Sequence, residues 1–290
     1  MKHKRNALIK SLAIVLAVWM LSGCQQNDEW PGDEDDEDDD ASKQTQTSQK
    51  VVHLTSEKSV EFVSDKTKES WRAPLEEFLA KVTPHNFPEI DYSDPYSGSY
   101  AVSLMDLNLD GTPEIILANP GGSACNVYYL VYDLLTGERL GDLDGGLVET
   151  WDYYYNPADD TIRLMVKFRT QAGYATQHHH VSRIEYNKEQ NQYDDQYILQ
   201  FTYSTDDYGT EEGVARAIYV VNGEEVDAET YYEAAEEYIN THIRIVDAQK
   251  QLFRWVDVVS EDASAEQRAK AMAEALLSSG QEFIKPETKK

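Results

Sequence analysis

The sequence predicts an α+β domain in which a meandering antiparallel sheet is packed by an N-terminal helix and two C-terminal helices. Between Tyr100 and Val221, short runs rich in β-branched and aromatic residues alternate with turn residues, and no segment between them has the length or period of a crossover helix. Helical periodicity occurs only before and after that stretch. We therefore expect consecutive strands to pair as antiparallel neighbours.

Composition sets the broad class of the protein. The 290 residues carry 26 basic and 53 acidic side chains, a formal net charge of -27, and only 2 cysteines. Because 41% of the residues are apolar and 11% are aromatic, most of the chain can bury a core. A surface this negative repels phosphate backbones, so we expect no nucleic-acid partner and an attraction for cations or basic partners. Two cysteines exclude a disulfide-rich scaffold.

Residues 1–23 have the pattern of a lipoprotein signal peptide. A basic start without acidic residues precedes the apolar segment 11–20, which is shorter than the roughly 20 residues of a membrane span. The segment ends in LSGC, which resembles the bacterial lipobox. That resemblance implies a diacylglycerol on Cys24, with palmitate as a typical chain, and a protein anchored at the extracytoplasmic face of the cell membrane. The alternatives are an uncleaved helical anchor and a secretory signal with a coincidental cysteine.

Residues 24–50 predict a disordered acidic tether that precedes a single α+β domain over residues 51–290. The block DEDDEDDD occupies residues 33–40 and is followed by Ser, Lys, Thr and Gln. Such a run buries no apolar surface and repels itself, so it extends. The alternative is a low-affinity cation sponge without the geometry to select an ion.

The first elements of the domain are predicted from periodicity. A helix over about 65–82 has Trp71, Leu75 and Phe78 on one face and stops at the Thr83-Pro84 pair. A loop over 84–99 follows, and Asp142 to Gly145 further on is interpreted as a turn. The predicted strands are 101–105, 114–118, 126–134, 147–155, 161–168, 178–186, 196–203 and 215–221.

Two helices are predicted after the strands. Asn222-Gly223 is a tight turn, and Asp227 is the predicted N-cap of a helix that runs to about Asn240. The last helix, over about 264–278, is rich in alanine and other strong helix formers and ends at Gly280.

An oxygen-rich loop follows the first strand of the predicted sheet. The segment DLNLDGTPE, which begins at Asp106, places side-chain oxygens at positions 1, 3, 5 and 9 and a glycine at position 6. Calcium binds six to eight oxygens, and alternate side chains of a curled loop converge on one point. Position 12 is Leu117 and both flanks are strand-like, so the loop is not an EF-hand. The alternative is a plain hairpin turn whose carboxylates cap backbone amides without a metal.

The same segment carries a family resemblance. DLNLDGTPEIIL resembles the loop of FG-GAP and VCBS repeats, in which a calcium ion sits in a β-hairpin turn. It is also similar to a single-copy loop of uncharacterised surface lipoproteins of Gram-positive bacteria, as is the later segment NGEEVDAETYYEAAEEY. Propellers repeat the loop, whereas this chain has one good copy. The resemblance implies calcium as a structural cofactor with these ligands: Asp106, Asn108, Asp110, Thr112 and Glu114.

A row of aromatic residues predicts a ligand surface. Trp151, Tyr153, Tyr154 and Tyr155 are near neighbours on one predicted strand, so their side chains point to both faces of the sheet. We expect some of them to be exposed, where they would stack on sugars or anchor a protein contact. The alternative is that helices cover both faces.

Three further groups contain residue types that occur in chemical sites. His178 and His180 share a strand face. They would bind zinc only together with a third ligand, which the sequence does not indicate. Asp206 and Glu211 belong to an acidic stretch whose paired carboxylates would line the pocket of a hydrolase, which is the alternative function. The sequence contains no hydrolase or phosphate-loop motif. Cys125 lies next to an apolar run, which is typical of a small core residue.

These patterns lead to one functional expectation. We expect a non-catalytic, monomeric surface lipoprotein with a structural calcium loop that interacts with an envelope polymer or surface protein, or binds a ligand. The alternatives are an extracytoplasmic hydrolase that uses acidic residues and an aromatic carbohydrate-contacting module.

Overall fold

Antiparallel sheets and helices make up the regular structure in the computed structural model of the chain, which confirms the predicted α+β class. The structure describes residues 50–82, 101–119, 127–145, 148–172, 176–187, 189–190, 192–204, 216–245, 248, 251–254, 258–259 and 262–286. The predicted signal peptide, most of the tether, and the loop over 84–99 lie outside these residues. Among the described residues, no helix has both the length and the apolar character needed to span a membrane.

The elements are numbered in chain order. The strands are β1 (Val51–His53), β2 (Ser59–Glu61), β3 (Ala101–Met105), β4 (Glu114–Asn119), β5 (Val127–Asp133), β6 (Arg139–Gly145), β7 (Val148–Asn156), β8 (Thr161–Ala172), β9 (Thr176–Asn187), β10 (Gln192–Ser204), β11 (Arg216–Val221), β12 (Glu224–Val226), β13 (Ile243–Ile245) and β14 (Phe253–Arg254). The helices are α1 (Asp65–Ser70), α2 (Arg72–Lys81), α3 (Ala228–Thr241) and α4 (Ala265–Ser278).

The described strands form two large sheets and one small one, where the sequence predicted a single meander. The seven-stranded sheet has the order β12-β11-β10-β9-β8-β7-β13, and the five-stranded sheet has the order β14-β3-β4-β5-β6. Strands β1 and β2 pair with each other. Within each large sheet consecutive strands are antiparallel neighbours, while β13 and β14 return to the edges next to β7 and β3.

The two large sheets share one hydrophobic core. Alternation along β7 directs Trp151, Tyr153 and Tyr155 into this core together with alternate residues of β8. The five-stranded sheet contributes Met105 and Ile116, which are completely buried. The residues of β7 and β8 that alternate with these core residues face the other side of the seven-stranded sheet.

A second core lies between the five-stranded sheet and helices α2 and α4. It contains Leu75 from α2, Met272 from α4, and Leu104 and Ile115 from the sheet, all 0 to 1% exposed. Burial of one such side chain contributes about 1.5–3 kcal/mol to the free energy of unfolding. Helix α4 begins with a capping box, in which Ser264 and Gln267 accept each other's backbone N–H groups.

Helix α3 begins at its predicted cap and contacts the seven-stranded sheet. The Asp227 carboxylate accepts the Thr230 N–H at 2.8 Å, which confirms the predicted N-cap. The ring of Tyr231 on α3 lies 5.3 Å from the ring of Tyr219 on β11, and Tyr238 lies 6.5 Å from Tyr154 on β7. The helix therefore covers part of the face opposite the shared core.

The C-terminal segment pairs with the residues that follow β2. Phe62 and Ile284 form an antiparallel bridge, and the Val63 N–H donates to the Phe283 carbonyl at 2.8 Å. The ring of Phe283 stacks edge-on against Trp71 at 5.2 Å. Nearby, the buried Lys68 ammonium donates to the Gln281 carbonyl at 3.0 Å. This pairing ties the ends of the described domain together.

One prediction about an individual element holds apart from a one-residue interruption, and another is wrong. The predicted helix over 65–82 is interrupted at Trp71, because Pro74 has no N–H to donate to the Ser70 carbonyl one turn earlier. The predicted turn from Asp142 to Gly145 is instead the end of β6, which pairs with β5. The turn lies earlier, where Asp133 accepts the N–H groups of Leu135 and Thr136.

Candidate functional site: the loop between β3 and β4

The loop between β3 and β4 is held by its own side-chain oxygens. One Asp106 oxygen accepts the Asp110 N–H at 3.1 Å, and the other accepts the Gly111 N–H at 2.8 Å. The Asn108 side-chain oxygen also accepts the Asp110 N–H, and Asp110 accepts the Thr112 N–H, each at 2.8 Å. These are the backbone caps expected of a hairpin turn; Asp106 is buried, Asn108 is half-buried and Asp110 is exposed.

Glu114 closes the loop from the first residue of β4. Its Oε2 accepts the Leu107 N–H at 2.8 Å, and its Oε1 accepts the Asn108 side-chain amide at 3.1 Å. The same Oε1 accepts the Tyr193 hydroxyl at 2.5 Å. Glu114 therefore lies against the beginning of the loop, close to Asp106 in space as well as in sequence.

The loop buries two carboxyl groups without a cationic partner. Asp106 is 0% exposed and Glu114 is 3% exposed, and neither forms an ion pair with any lysine, arginine or histidine among the described residues. Burial raises the pKa of Asp106 to about 7, against the opposing effect of the Gly111 N–H. Burial also raises the pKa of Glu114 to about 8, and the charge of Asp106 adds to this rise. Near neutral pH these two groups need either protons or a cation.

Two tyrosines of the seven-stranded sheet support the loop. The hydroxyl of Tyr153 on β7 donates to the Asp106 carbonyl at 2.5 Å, while Tyr193 on β10 donates to Glu114. Both side chains are 1% exposed, and burial with nearby carboxylates raises their pKa well above the ordinary value, so they stay protonated donors. The loop therefore joins the two large sheets. The sequence did not indicate either support, because both tyrosines lie far along the chain from the loop.

The loop backbone passes through two left-handed residues. Leu109 has φ 60° and Gly111 has φ 86°, a region that costs a residue with a side chain roughly 1–2 kcal/mol. A Cβ atom added to Gly111 would lie 2.5 Å from Cδ of Pro286, so only glycine fits there. The C-terminal segment is thus seated directly on the loop.

The five predicted ligand residues are all among the described residues. Within the described part of the chain, no group of three or more His, Cys, Asp and Glu side chains is placed to hold a metal ion. Protein-family models, curated proteins and solved structures give no match to this chain. The chemistry of the site therefore rests on its own residues.

The predicted aromatic ligand surface is wrong. Trp151, Tyr153, Tyr154 and Tyr155 are all buried, at 1 to 6% exposure. The reason is that β7 lies inside its sheet between β8 and β13, with one face in the shared core. On the other face, Tyr154 contacts Tyr238 of helix α3. Both faces of β7 are therefore covered, but only one of them by a helix; the other is covered by the five-stranded sheet, whereas the alternative had helices on both faces.

The remaining candidates gain no support as sites. The rings of His178 and His180 lie 6.1 Å apart on β9, where His178 hydrogen-bonds Thr202 at 3.0 Å. No third metal ligand joins them within the residues that the structure describes. The predicted lipidation residue, the second cysteine and the acidic pair lie outside the described residues: Cys24, Cys125, Asp206 and Glu211.

Proposed function

We propose that the loop from Asp106 to Glu114 binds a structural calcium ion. The observation that supports this proposal is the burial of Asp106 and Glu114 with no cationic side chain paired to either among the described residues. Leaving a buried carboxylate unpaired is costly, and a divalent cation offsets two such charges at once. Calcium favours carboxylate, amide and carbonyl oxygens, which are the donors that this loop offers.

The hydrogen bonds within the loop are compatible with a metal. Each carboxylate has about four lone-pair sites, so an oxygen that accepts one N–H can still coordinate an ion. The proposed side-chain ligands are Asp106, Asn108, Asp110 and Glu114, with the Thr112 carbonyl as a further ligand. The metal-free alternative uses the same backbone caps and neutralises the buried carboxyl groups by protonation. The two alternatives therefore differ in what supplies the positive charge.

The role proposed for the ion is stabilisation of the domain. The loop contacts both large sheets through Tyr153 and Tyr193, and it also contacts Pro286. An ion that fixes the loop would therefore strengthen the packing of three parts of the domain. We assign it no catalytic step.

We propose that this domain belongs to a lipid-anchored protein on the extracytoplasmic face of the cell membrane. The proposal rests on the LSGC sequence that ends at Cys24 and on the acidic tether over 24–50. Extracellular calcium modules have dissociation constants of about 0.1–1 mM, which suits a site with few carboxylates. The domain would act as a non-catalytic monomer that contacts an envelope polymer or a surface protein.

Thermal unfolding of the full chain in detergent, with calcium or with a chelator, tests the metal proposal. Calcium at 100 times its dissociation constant should add about 2.7 kcal/mol, or about 5–10 °C in melting temperature for a domain of this size. Asp110→Asn keeps the oxygen that accepts the Thr112 N–H and removes one ligand charge. We expect this variant to lose most of the calcium effect.

Asp133→Asn is the matched control, because Asp133 also accepts backbone N–H groups in a hairpin turn but lies outside the loop. This variant should keep the full calcium shift. Equal melting temperatures with calcium and chelator would overturn the metal proposal, as would an undiminished shift in Asp110→Asn.

A further inference from the structure

A cavity of about 290 Å³ lies between helix α3 and the outer face of the seven-stranded sheet. Its walls come from β8, β9 and β10, from the turn that follows β11, and from the end of α3 with His242. A β-bulge between Tyr197 and Leu199 on β10 lies at the edge of this space. The Asn222 N–H donates to the Ile198 carbonyl within the bulge at 2.9 Å, which fixes the turn against it.

The wall of this cavity is basic, although the chain as a whole is strongly acidic. Arg163 and Arg183 line it, and none of the described residues in the lining is an aspartate or a glutamate. The same wall holds the side chains of Gln196 and Asn222, which can donate amide hydrogens. The chain as a whole has 53 acidic and 26 basic residues, so this local composition is opposite in sign to the net charge.

Two buried donors in the wall have no hydrogen-bond partner among the described residues. These are Nε of Arg183 and the hydroxyl of Tyr238. Buried polar groups are normally paired, and leaving one unpaired costs about 1–3 kcal/mol. Both residues line the same cavity. The charges of Arg163 and Arg183 act on the Tyr238 hydroxyl, and the charge of the buried Asp152, which pairs with Arg244, opposes them. An acceptor placed in the cavity would satisfy donors that the chain leaves unsatisfied.

The carboxylates that pair with the two arginines lie outside the cavity wall. Arg163 pairs with Asp159, and Arg183 pairs with Glu185, whose side chains are 39% and 49% exposed. Ion pairs this exposed contribute about 0–1 kcal/mol. Each guanidinium has five N–H donors, so one exposed carboxylate does not exhaust it. The positive charge of both arginines thus remains available to a ligand inside.

We propose that this cavity binds a small molecule through an oxyanion group, a carboxylate or a phosphate, held by Arg163, Arg183 and Tyr238. Guanidinium groups bind planar or tetrahedral oxyanions with two hydrogen bonds at once. Met165 and the ring of His242 provide apolar wall area for a short carbon body attached to that group. The cavity volume is at the lower limit of the usual range for small-molecule sites.

Isothermal titration of the full chain in detergent tests this proposal, in calcium-free buffer at constant ionic strength. The probes are inorganic phosphate and succinate. Each probe replaces an equal amount of chloride in the buffer, which controls for non-specific effects of charge. We expect one-site binding of phosphate, of succinate or of both. Binding of phosphate alone would identify a phosphate-bearing ligand, and binding of succinate alone would identify a carboxylate.

Two variants and one matched control connect such binding to the cavity. Arg183→Gln should weaken binding at least tenfold, and Tyr238→Phe, which keeps the ring, should weaken it about fivefold. Arg139→Gln removes the same charge from a strand arginine of similar exposure that also pairs with a nearby carboxylate, Asp142, but lies outside the cavity. It should bind as the wild type does. Absence of binding by both probes would overturn the proposal, as would equal affinities of Arg183→Gln and wild type.

Discussion

Substitution of Gly111 by alanine should separate the contribution of a single interatomic contact from that of backbone conformation. The residue has φ 86°, and an added Cβ would lie 2.5 Å from Cδ and 2.9 Å from Cγ of Pro286. Real Cβ atoms do not approach other heavy atoms so closely, so either the loop or the C-terminal segment must move. The proline ring includes the backbone nitrogen and has no alternative rotamer that would relieve the contact.

The expected cost is the sum of two parts. A left-handed conformation costs an alanine about 1–2 kcal/mol relative to glycine. Displacing the segment costs a further 1–3 kcal/mol or so, as in other overpacked sites. The segment resists displacement because Lys285 donates its N–H to the Glu61 carbonyl at 2.8 Å and Ile284 is bridged to Phe62. Gly111→Ala should therefore lower the free energy of unfolding by about 2–5 kcal/mol.

The domain contains a matched control for this substitution. Gly223 has φ 84°, nearly the same conformation, and an added Cβ there meets no atom within 4 Å. Gly223→Ala should cost only the conformational part, about 1–2 kcal/mol. Urea unfolding followed by tryptophan fluorescence measures both variants. The combination of Gly111→Ala with Pro286→Ala should recover most of the difference. Equal losses for the two glycine variants would refute the seating of Pro286 on the loop.

Three other predictions follow from burial, capping and ionisation. With a chelator present, the free energy of unfolding should fall as pH rises from about 4.5 to about 8, because the folded state holds protons on Asp106 and Glu114 more tightly than the unfolded state does. Urea unfolding across this pH range measures the slope, and calcium should reduce that slope. A free energy of unfolding that does not change with pH would contradict the uncompensated burial of the two groups. Leu75→Ala, at a completely buried position, should cost about 2–5 kcal/mol in urea unfolding, whereas Leu135→Ala, 60% exposed, should change stability by about 0.5 kcal/mol or less. Ser264→Ala removes the cap of helix α4 and should cost about 1 kcal/mol in thermal unfolding; an unchanged melting temperature would show that the cap adds nothing.

Local signals predicted most of the individual elements. Strand β3 has its predicted bounds, and helix α4 begins and ends within one residue of its prediction. Strand β6 was missed because its sequence RLGDLDG carries turn residues, which an edge strand tolerates because it pairs on one side only. The division of the strands into two large sheets was not predictable, because side chains alternate between the two faces of a strand in the same way whether the strands form one sheet or two.

The local part of the candidate site could be read from the sequence. The spacing of Asp106, Asn108 and Asp110 indicated a curled loop, and the structure has such a loop, in which Asp106 and Asn108 cap the Asp110 N–H. The burial of that loop depends on Tyr153 and Tyr193, whose positions follow from the packing of one sheet on the other. The cavity depends on a bulge in β10 and on where α3 lies, so no short segment of sequence could have indicated it.

The bridge between Phe62 and Ile284 determines when the domain can be completed. Chains are synthesised from the N-terminus, so residues 61–63 emerge long before their partners. Glu61 and Lys285 are 224 residues apart, and closing so long a segment has an entropic cost that local contacts do not repay early. Until Phe283 arrives, Trp71 lacks the aromatic neighbour that covers it in the finished domain. We therefore expect the domain to remain open to chaperones and proteases throughout most of its synthesis and to close in a late step.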